Sequence, residues 1–365
     1  MTTPRKDAAG PEVAAVADDA LHGSYCPKMC TFACPVTSAT GRDDAVPWSF
    51  HRTVSDLAAG RLPLVPEVAG RLTACSGCLA CQVPCTFDQD VPSQVRAGRA
   101  AWQAAGAAPS VVGEATRHVA AGRAPTGAAL PAAPASDPDA DVLVVAGCRD
   151  DAQAIAATVD VLRAAGDRVA VEVPSGCCGA LLDDLGVPGA GDDARSRLAD
   201  AVDDRPARVV ATDPHCLGSL RAVGLQATDL ASHLDGLVTG GRLRFPGGTW
   251  DVTWHDPCVL ARGEAVTDAP RRVLAAAGAA LREPEQHGVH TGCSGAGLAM
   301  DQLDPDAADR TAAFRARQLG DGPVVTGCAR AQQRLAAAGV DVTDLATALA
   351  RRLDQDPSRD RWSTP

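Results

Sequence analysis

The stretch Cys75-Ser-Gly-Cys78-Leu-Ala-Cys81-Gln-Val-Pro-Cys85 places four thiols within eleven residues, at C-x2-C-x2-C-x3-C spacing. This spacing is typical of iron–sulfur ligands, because three thiols separated by two residues each can bind three corners of one cubane cluster. The fourth thiol of such a run usually binds a second cluster, so a partner run is expected elsewhere. A structural zinc site is the alternative, but zinc normally uses two close pairs of ligands set about a dozen or more residues apart. The stretch therefore predicts an iron–sulfur site.

A second cysteine run lies upstream, Cys26-Pro-Lys-Met-Cys30-Thr-Phe-Ala-Cys34-Pro35, and it ends in the Cys-Pro pair typical of bacterial ferredoxin motifs. In ferredoxins with two clusters, the last cysteine of one run binds the cluster of the other run. One complete ligand set for a [4Fe–4S] cluster is then predicted. Its members are Cys34, Cys75, Cys78 and Cys81.

The remaining thiols of the two runs, Cys26, Cys30 and Cys85, form a set that is one thiol short. Three cysteines can hold a [3Fe–4S] cluster, or a [4Fe–4S] cluster can take a different fourth ligand such as Tyr25 or His22. A further alternative is that Cys26 is a spare buried thiol and that only one cluster forms here.

The segment around both runs predicts short helices. Pro47–Gly60 and residues 66–73 each begin at a proline and carry apolar residues three and four positions apart. Helices at residues 98–108 and 110–121 are expected to complete a domain that spans residues 21–122. This helical content resembles the α-helical ferredoxin module of succinate dehydrogenase and fumarate reductase iron–sulfur subunits. The small and polar residues 1–20 predict a disordered tail.

The sequence pattern of the chain changes after Pro125–Pro138. This segment is rich in proline and alanine, and it predicts a linker over residues 123–139. Apolar strand patterns then alternate with helical patterns, which is typical of a parallel sheet covered by helices. The same order occurs in residues 140–245 and 246–355, before a short tail at 356–365. The phrase Thr-Asp-Leu-Ala starts at Thr228 and again at Thr343, 115 residues later, which indicates a duplication. The expected fold is multidomain: an α-helical ferredoxin module followed by a duplicated α/β domain with parallel sheets.

The cysteines of the duplicated half follow predicted strands or lie in loops next to glycine, and open α/β sheets bind ligands at the carboxyl ends of their strands. The first repeat offers Cys148, Cys177, Cys178 and Cys216. The second repeat offers Cys258, Cys293 and Cys328, with Ser294 and Ala331 at the positions that match Cys178 and Cys216. The two repeats are therefore expected to form unequal sites.

These motifs resemble the tandem CCG-domain iron–sulfur family, which includes the CCG-domain subunit of heterodisulfide reductase and the iron–sulfur subunits of glycolate oxidase, lactate utilisation and anaerobic glycerol-3-phosphate dehydrogenase. The matching residues are Gly147-Cys148, Cys177-Cys178-Gly179, Cys216, His255-Asp-Pro-Cys258, Gly292-Cys293-Ser-Gly295 and Thr326-Gly-Cys328. The resemblance implies that a Cys…Cys-Cys-Gly…Cys-x-x-Cys set binds an iron–sulfur cluster, which in heterodisulfide reductases is a noncubane cluster that handles disulfides.

The first repeat departs from this family pattern at Asp213, which replaces the opening cysteine of Cys-x-x-Cys, and a cluster is still expected there. The second repeat keeps three thiols, so at most a depleted cluster is expected. His255 is either a ligand of that cluster or a hydrogen-bonding residue at a strand end.

Composition limits the class of partner. The chain has 365 residues, 14 cysteines and a formal net charge of −11, with few aromatic residues, so it offers no basic or base-stacking face for nucleic acid. The N-terminus has no secretion signal, and no apolar run reaches the length of about 20 residues that a membrane span needs. We expect a cytoplasmic protein whose cysteines are metal ligands. It would be peripheral at the inner face of the membrane if a partner holds it there.

Several clusters in a chain without a Rossmann fingerprint, P-loop or flavin motif predict an electron conductor rather than a complete dehydrogenase. The expected partner is an FAD-linked flavoprotein dehydrogenase of the hydroxy acid or glycerol-phosphate type, and the expected acceptor is a quinone or another oxidant. One alternative is a heterodisulfide reductase-like thiol–disulfide reductase that acts at Cys177-Cys178. Another is a non-catalytic cluster-bearing sensor or scaffold.

Overall fold

The computed structural model describes residues 10–202 and 208–355. Residues 1–9 of the predicted N-terminal tail and the tail predicted at 356–365 lie outside the described residues. The N-terminal part is built from short helices. They are α1 (Gly10–Ala15), α2 (Ala17–Tyr25), α3 (Cys30–Ala33), α4 (Pro35–Thr40), α5 (Pro47–Ala58), α6 (Pro66–Ala69), α7 (Val91–Ala104) and α8 (Ser110–Ala120).

Residues 10–20 were expected to be part of a disordered tail, and this prediction was wrong. They form α1 and the start of α2, and the side chains of Val13 and Ala20 are fully buried. α1 packs against α7, and α2 packs against α5. Such short helices are stable only through tertiary packing, which the polar composition of the segment does not reveal.

The helix boundaries follow local signals. Proline lies in the first turn of α4, α5, α6 and α7, where its missing N–H needs no partner. Helix α7 was expected from residue 98 but begins at Val91, because the Asp90 carboxylate accepts the backbone N–H of Ser93 at 3.0 Å and caps the helix. Phe50 of α5 and Trp102 of α7 are buried in the core of this helical module.

The second part of the chain contains two four-stranded parallel sheets with the same topology, as predicted. Residues 121–141, which include the predicted linker, form no helix or strand before the first sheet. The first repeat has β1 (Val142–Val145), α9 (Ala152–Ala164), β2 (Val169–Glu172), α10 (Ala180–Asp184), α11 (Pro188–Val202), β3 (Arg208–Ala211), α12 (His215–Ala222), β4 (Ala227–Asp229) and α13 (Leu230–Thr239).

The second repeat follows the same order of elements. They are β5 (Trp250–His255), a π-helical turn (Val259–Gly263), α14 (Asp268–Ala276), β6 (Ala279–Arg282), α15 (Met300–Leu303), α16 (Pro305–Leu319), β7 (Val324–Thr326), α17 (Ala329–Ala337), β8 (Val342–Asp344) and α18 (Leu345–Asp354). The strand order in its sheet is β6-β5-β7-β8, which matches β2-β1-β3-β4 of the first repeat.

The repeated Thr-Asp-Leu-Ala phrase forms the same structure twice. Asp229 ends β4 and caps α13 by accepting the Ser232 N–H at 2.8 Å. Asp344 ends β8 and caps α18 by accepting the Thr347 N–H at 2.9 Å. The phrase therefore encodes a strand end and a helix cap, and the duplication predicted from it is confirmed.

The repeats pack through a reciprocal contact. Helix α13, the last of the first repeat, packs on α14, and α18, the last of the second repeat, packs on α9. The two contacts join equivalent pairs of helices, since α13 corresponds to α18 and α14 corresponds to α9. The two repeats are therefore related by an approximate two-fold axis. One hydrophobic core that includes Ile155, Trp254 and Leu349 spans both repeats.

The helical module is joined to both repeats by the buried side chain of Arg99 in α7. Its Nε and Nη2 donate to the carbonyl oxygen of Leu72 at 2.9 and 2.7 Å, and Nη2 also donates to Thr73 at 3.3 Å. Its Nη1 donates to the carbonyl oxygens of Asp184 and Leu298, both at 2.6 Å. One guanidinium thus joins the module, α10 of the first repeat and the loop before α15 of the second.

That loop approaches the Cys75 run without space between the two backbones. A Cβ on Gly297 would lie 2.1 Å from the carbonyl oxygen of Ser76. Leu298 and Ala299 adopt left-handed φ angles of 50° and 54°, which are unfavourable for these residues and are maintained by surrounding packing. The second repeat and the helical module are therefore in direct backbone contact at the Cys75 run.

We predict that Arg99→Met lowers the free energy of unfolding by at least about 3 kcal/mol, because four buried carbonyl groups lose a charged donor. The control is Arg52→Met, which removes an exposed arginine of α5 paired with Asp56 and is expected to leave the unfolding midpoint nearly unchanged, because solvent screens an exposed ion pair. Urea unfolding of the two variants, followed by circular dichroism, measures the difference. Equal midpoints would show that Arg99 does not hold the domains together.

Candidate metal centres

The four cysteines of the first predicted set meet at one place. Cys34 lies between α3 and α4, and the other three lie in the loop before α7. All four are buried and line a common cavity, the first-set cavity: Cys34, Cys75, Cys78 and Cys81. Residues about 40 positions apart in sequence are thus combined in the arrangement that the crossed ferredoxin pattern predicts.

Burial controls the acidity of these thiols. Burial raises the pKa of Cys75 to about 12 and that of Cys81 well above its ordinary value, with the neighbouring thiols adding to the effect. The Gly77 N–H and the Arg99 guanidinium act in the opposite direction on the pKa of Cys75. A bound metal cation favours the thiolate form, so the set is suited to bind iron with release of protons.

A Cys-x-Gly turn occurs at three cysteines. The amide of Gly77 points to Cys75 Sγ at 3.5 Å, that of Gly179 to Cys177 Sγ at 3.3 Å, and that of Gly295 to Cys293 Sγ at 3.2 Å. Each glycine has a positive φ, between 60° and 98°, which residues with a Cβ adopt only with strain. N–H···S bonds stabilise thiolates and are one of the factors that set the potential of iron–sulfur clusters.

The second predicted set also comes together. Cys26, Cys30 and Cys85 line a cavity of about 150 Å³, here called the three-thiol cavity. Burial raises the pKa of Cys30 to about 11, and the Cys26 and Cys85 thiols add to this. Tyr25 is 76% exposed, and neither Tyr25 nor His22 is among the residues that line the cavity, so the structure does not support either as a fourth ligand.

A residue that the sequence interpretation missed lines the three-thiol cavity. His51 of α5 is 2% exposed, and its Nδ1 lies 2.6 Å from Gln94 Oε1. Burial lowers the pKa of His51, so the imidazole is neutral near pH 7. The signal in sequence is only a histidine inside a predicted helix, four residues after the proline that starts it.

The cysteines of the first repeat form one group at the carboxyl ends of its strands, in which Cys148 is partly exposed and the other three are buried. Cys148 follows β1, Cys177 and Cys178 follow β2, and Cys216 follows β3. Cys177 contacts Cys148 and Cys178, and these contacts lower its pKa well below the ordinary value, while Cys178 also contacts Cys216. Four sulfur atoms at the strand ends are a suitable donor set for an iron–sulfur cluster.

The thiols of the second repeat do not form a matching group. Cys258 and Cys293 contact each other, and Cys293 also contacts Cys78 of the first set. Cys328 lies instead at the first repeat, with its Sγ 3.9 Å from His215 Nδ1. The three thiols expected to share a depleted cluster are therefore divided between two places.

Cys328 has an unusual set of neighbours. One ligand-type atom from each of Asp213, His215 and Cys328 lies within 4.8 Å of the others. The fully buried Arg330 guanidinium lies 4.0 Å from Asp213, which disfavours a lone divalent cation at this place. Burial raises the pKa of Cys328 to about 12, with the Asp213 charge adding to this. Asp213 and Cys328 are equivalent positions in the two repeats, so they meet near the approximate two-fold axis.

His255 is a hydrogen-bonded strand-end residue. It is 1% exposed at the end of β5, and its Nδ1 accepts a hydrogen bond from Arg315 Nε at 3.3 Å. Burial lowers its pKa well below the ordinary value, with Arg315 and Arg262 adding to this. Of the two roles expected for His255, the structure supports the hydrogen-bonding role.

The family profile of the cysteine-rich domain called CCG matches residues 142–221 and again residues 252–330, one match on each sheet repeat. The fold and the thiol groups define a protein with a ferredoxin-type module and two cysteine-rich repeats. The chain thus contains two cysteine-rich CCG domains in tandem, as the sequence motifs indicated.

Two curated relatives are similar to parts of the chain. A probable membrane-anchored ferredoxin of Chromohalobacter salexigens is 32% identical over 171 residues, which cover 41% of this chain and 26% of the relative. An uncharacterized iron–sulfur protein of Methanocaldococcus jannaschii is 32% identical over 95 residues, which cover 25% of this chain and 19% of the relative. The chain thus spans about a quarter or less of the length of these relatives. Within the described ranges, no helix is long and apolar enough to cross a membrane.

We predict that Cys34→Ser lowers the iron and sulfide content as much as Cys75→Ser does, by about one cubane cluster per chain, because both thiols belong to one ligand set. The control is Ser294→Ala, which changes a buried residue of the second repeat outside the thiol sets. Iron and acid-labile sulfide are measured on anaerobically reconstituted protein. Iron content unchanged in Cys34→Ser would contradict the crossed ligand set.

Proposed function

We propose that the chain is the iron–sulfur electron-transfer subunit of an oxidoreductase, which receives electrons from an FAD-linked dehydrogenase and passes them to a quinone or another acceptor. The dehydrogenase would oxidise a small hydroxy acid or a glycerol-phosphate type substrate. When bound, iron–sulfur clusters accept and donate single electrons, so a series of them can divide the electron pair that a flavin collects.

The observation that carries this proposal is the continuity of the thiol groups. Cys30 of the three-thiol cavity lies close enough to Cys34 for that thiol to raise its pKa. At the other side of the first-set cavity, Cys78 contacts Cys293 of the second repeat. Neighbouring centres at short separation are what electron transfer requires, and a scaffold has no need of them.

The first repeat is connected to the same series through charged side chains. Arg99 lies beside Cys75 and donates to Asp184, and Arg330 lies 3.8 Å from Asp184 and interacts with Cys148. Buried cations next to thiolates offset the negative charge of a cysteine-bound cluster and favour its reduced state. These arginines would therefore help to keep the potentials of successive centres in a usable range.

The proposed cofactors are a [4Fe–4S] cluster at the first set, a [3Fe–4S] or [4Fe–4S] cluster at the three-thiol cavity and a further cluster in the first repeat. The relatives support the ferredoxin-type role by their names, since one is called a membrane-anchored ferredoxin. A place at the inner face of the membrane would follow from contact with a membrane partner.

One observation favours thiol–disulfide reduction at Cys177-Cys178 as a second candidate function. An open cleft of about 630 Å³, lined by His215, Arg96 and Arg195, lies next to α12, which carries Cys216. The cleft is large enough for a small disulfide. Its charge does not favour an anionic one, because Arg96 is paired with Asp184 and Arg195 with Asp183 and Asp192, which also line the cleft. Against this function, Cys177 and Cys178 are only 1% and 3% exposed.

The test mixes the anaerobically reconstituted chain first with photoreduced FAD and then with the soluble quinone ubiquinone-1. We expect the chain to accept electrons from the flavin and to be reoxidised by the quinone. Cys78→Ser should reduce transfer to the rate measured without protein, because Cys78 is one of the four thiols proposed to hold the first-set cluster. The control variant is Arg272→Met, which changes an exposed arginine of α14 that is paired with Asp235.

Three results would separate the functions. No reduction by flavin, with clusters present, would contradict electron transfer and favour a sensor or scaffold. Catalytic reduction of glutathione disulfide with dithionite as donor, lost in Cys178→Ser, would favour the thiol–disulfide reductase. Flavin-to-quinone transfer without disulfide turnover supports the proposed function.

A further inference from the structure

The three-thiol cavity is bordered by one more side chain of ligand type. Cys26, Cys30 and Cys85 line it together with His51, which comes from the middle of α5 rather than from either cysteine run. The cavity of about 150 Å³ is larger than a single water needs. Cys81 of the first set also borders this cavity. Apart from that thiol, three sulfur donors and one imidazole surround the same space.

The protonation of His51 is fixed by its neighbours. The Gln94 side-chain amide donates through Nε2 to Gln89 Oε1 at 3.1 Å, which orients Gln94 Oε1 towards His51 Nδ1 at 2.6 Å. An amide oxygen only accepts, so Nδ1 carries the proton and Nε2 carries the lone pair. This is the tautomer in which Nε2 can bind a metal.

The ring is also fixed from the side of α2. A Cβ added to Gly23 would lie 2.4 Å from His51 Cγ, so the helix backbone packs directly on the imidazole. A hydrogen-bond acceptor on one ring nitrogen and close packing on the ring are the features that orient metal-ligating histidines. A histidine with only a packing role in the core would not require three thiols and a cavity beside its ring.

We propose that His51 is the fourth ligand of a [4Fe–4S] cluster held by Cys26, Cys30 and Cys85. This inference rests on the proposed function only in assuming that the three-thiol cavity holds a cluster. A neutral imidazole in place of a thiolate makes the bound cluster less negative, which raises its reduction potential. The cluster at the three-thiol cavity is then easier to reduce than one held by four thiolates.

Three other side chains near the cavity, those of Lys28, Gln89 and Tyr25, are unsuitable as ligands. Lys28 has no lone pair when protonated, and its Nζ lies 4.0 Å over the Trp48 ring. Gln89 uses its Oε1 to accept from Gln94. Tyr25 points to solvent, with 76% of its surface exposed.

The experiment uses the full chain, labelled with ¹⁵N-histidine and reconstituted anaerobically. Pulsed EPR of the reduced protein should show a ¹⁵N coupling to one cluster, and the coupling should be lost in His51→Cys, which retains its iron and has a lower midpoint potential. His51→Ala should lose about one iron per chain and show the EPR signal of an oxidised [3Fe–4S] cluster. The control is His118→Ala, a histidine of α8 whose Nδ1 lies 3.2 Å from the Pro125 carbonyl oxygen, and it should change neither signal.

Absence of a ¹⁵N coupling in the unmodified chain would overturn the proposal, as would His51→Ala with unchanged iron and spectrum. His51→Cys keeps the test valid if His51→Ala does not fold. Cys30→Ser separates this failure from failure of the underlying cluster assignment. If Cys30→Ser removes a cluster while no ¹⁵N coupling exists, only the role of His51 is wrong; if Cys30→Ser leaves the iron unchanged, the cavity holds no cluster and both assignments fail.

Discussion

The buried guanidinium of Arg99 is the interaction on which the arrangement of the three domains depends. All five of its N–H groups have carbonyl acceptors, and these come from the helical module, the first repeat and the second repeat. A buried cation without acceptors is strongly unfavourable, so Leu72, Asp184 and Leu298 must be brought together for α7 to pack at all. Burial lowers the pKa of Arg99 to about 10, and the nearby Cys75 thiol acts against this shift. The residue that joins the domains thus also carries a positive charge beside Cys75 of the first thiol set.

Around that junction, the same short turn positions sulfur atoms in all three domains. The Cys-x-Gly turn at Gly77, Gly179 and Gly295 directs an amide to the cysteine two residues earlier. At Gly295 a Cβ would lie 2.5 Å from the carbonyl oxygen of Ala308, so glycine is required there for packing as well as for its φ angle. The module and the repeats have different folds, yet a similar local geometry supports the thiols in each. The requirement comes from sulfur, which needs N–H donors close to it when it is buried as a thiolate.

Local signals made the fold and part of the sites predictable. Cysteine spacing was enough to combine Cys34 with the Cys75 run, and a repeated four-residue phrase was enough to recognise two equivalent sheets. The errors concern features that depend on distant residues. The helix at Val13 is stable only because it packs on α5 and α7, and His51 borders the three-thiol cavity only because α5 crosses behind Cys26 and Cys30. No spacing rule connects a histidine to cysteines that lie on two other segments.

The division of the second repeat's thiols gives that repeat a different role from the first. Position 213 carries an aspartate where the second repeat has Cys328, and position 331 carries an alanine where the first repeat has Cys216. The approximate two-fold axis brings Asp213 and Cys328 together, so a thiol of the second repeat lies at the edge of the first repeat's cysteine group. Of its other two thiols, Cys293 contacts Cys78 of the module and Cys258 contacts Cys293. If the second repeat had only lost a metal site, thiols at its contacts with both the module and the first repeat would not be expected. The second repeat is therefore better understood as the domain that connects the module and the first repeat than as a degenerate copy of the first repeat.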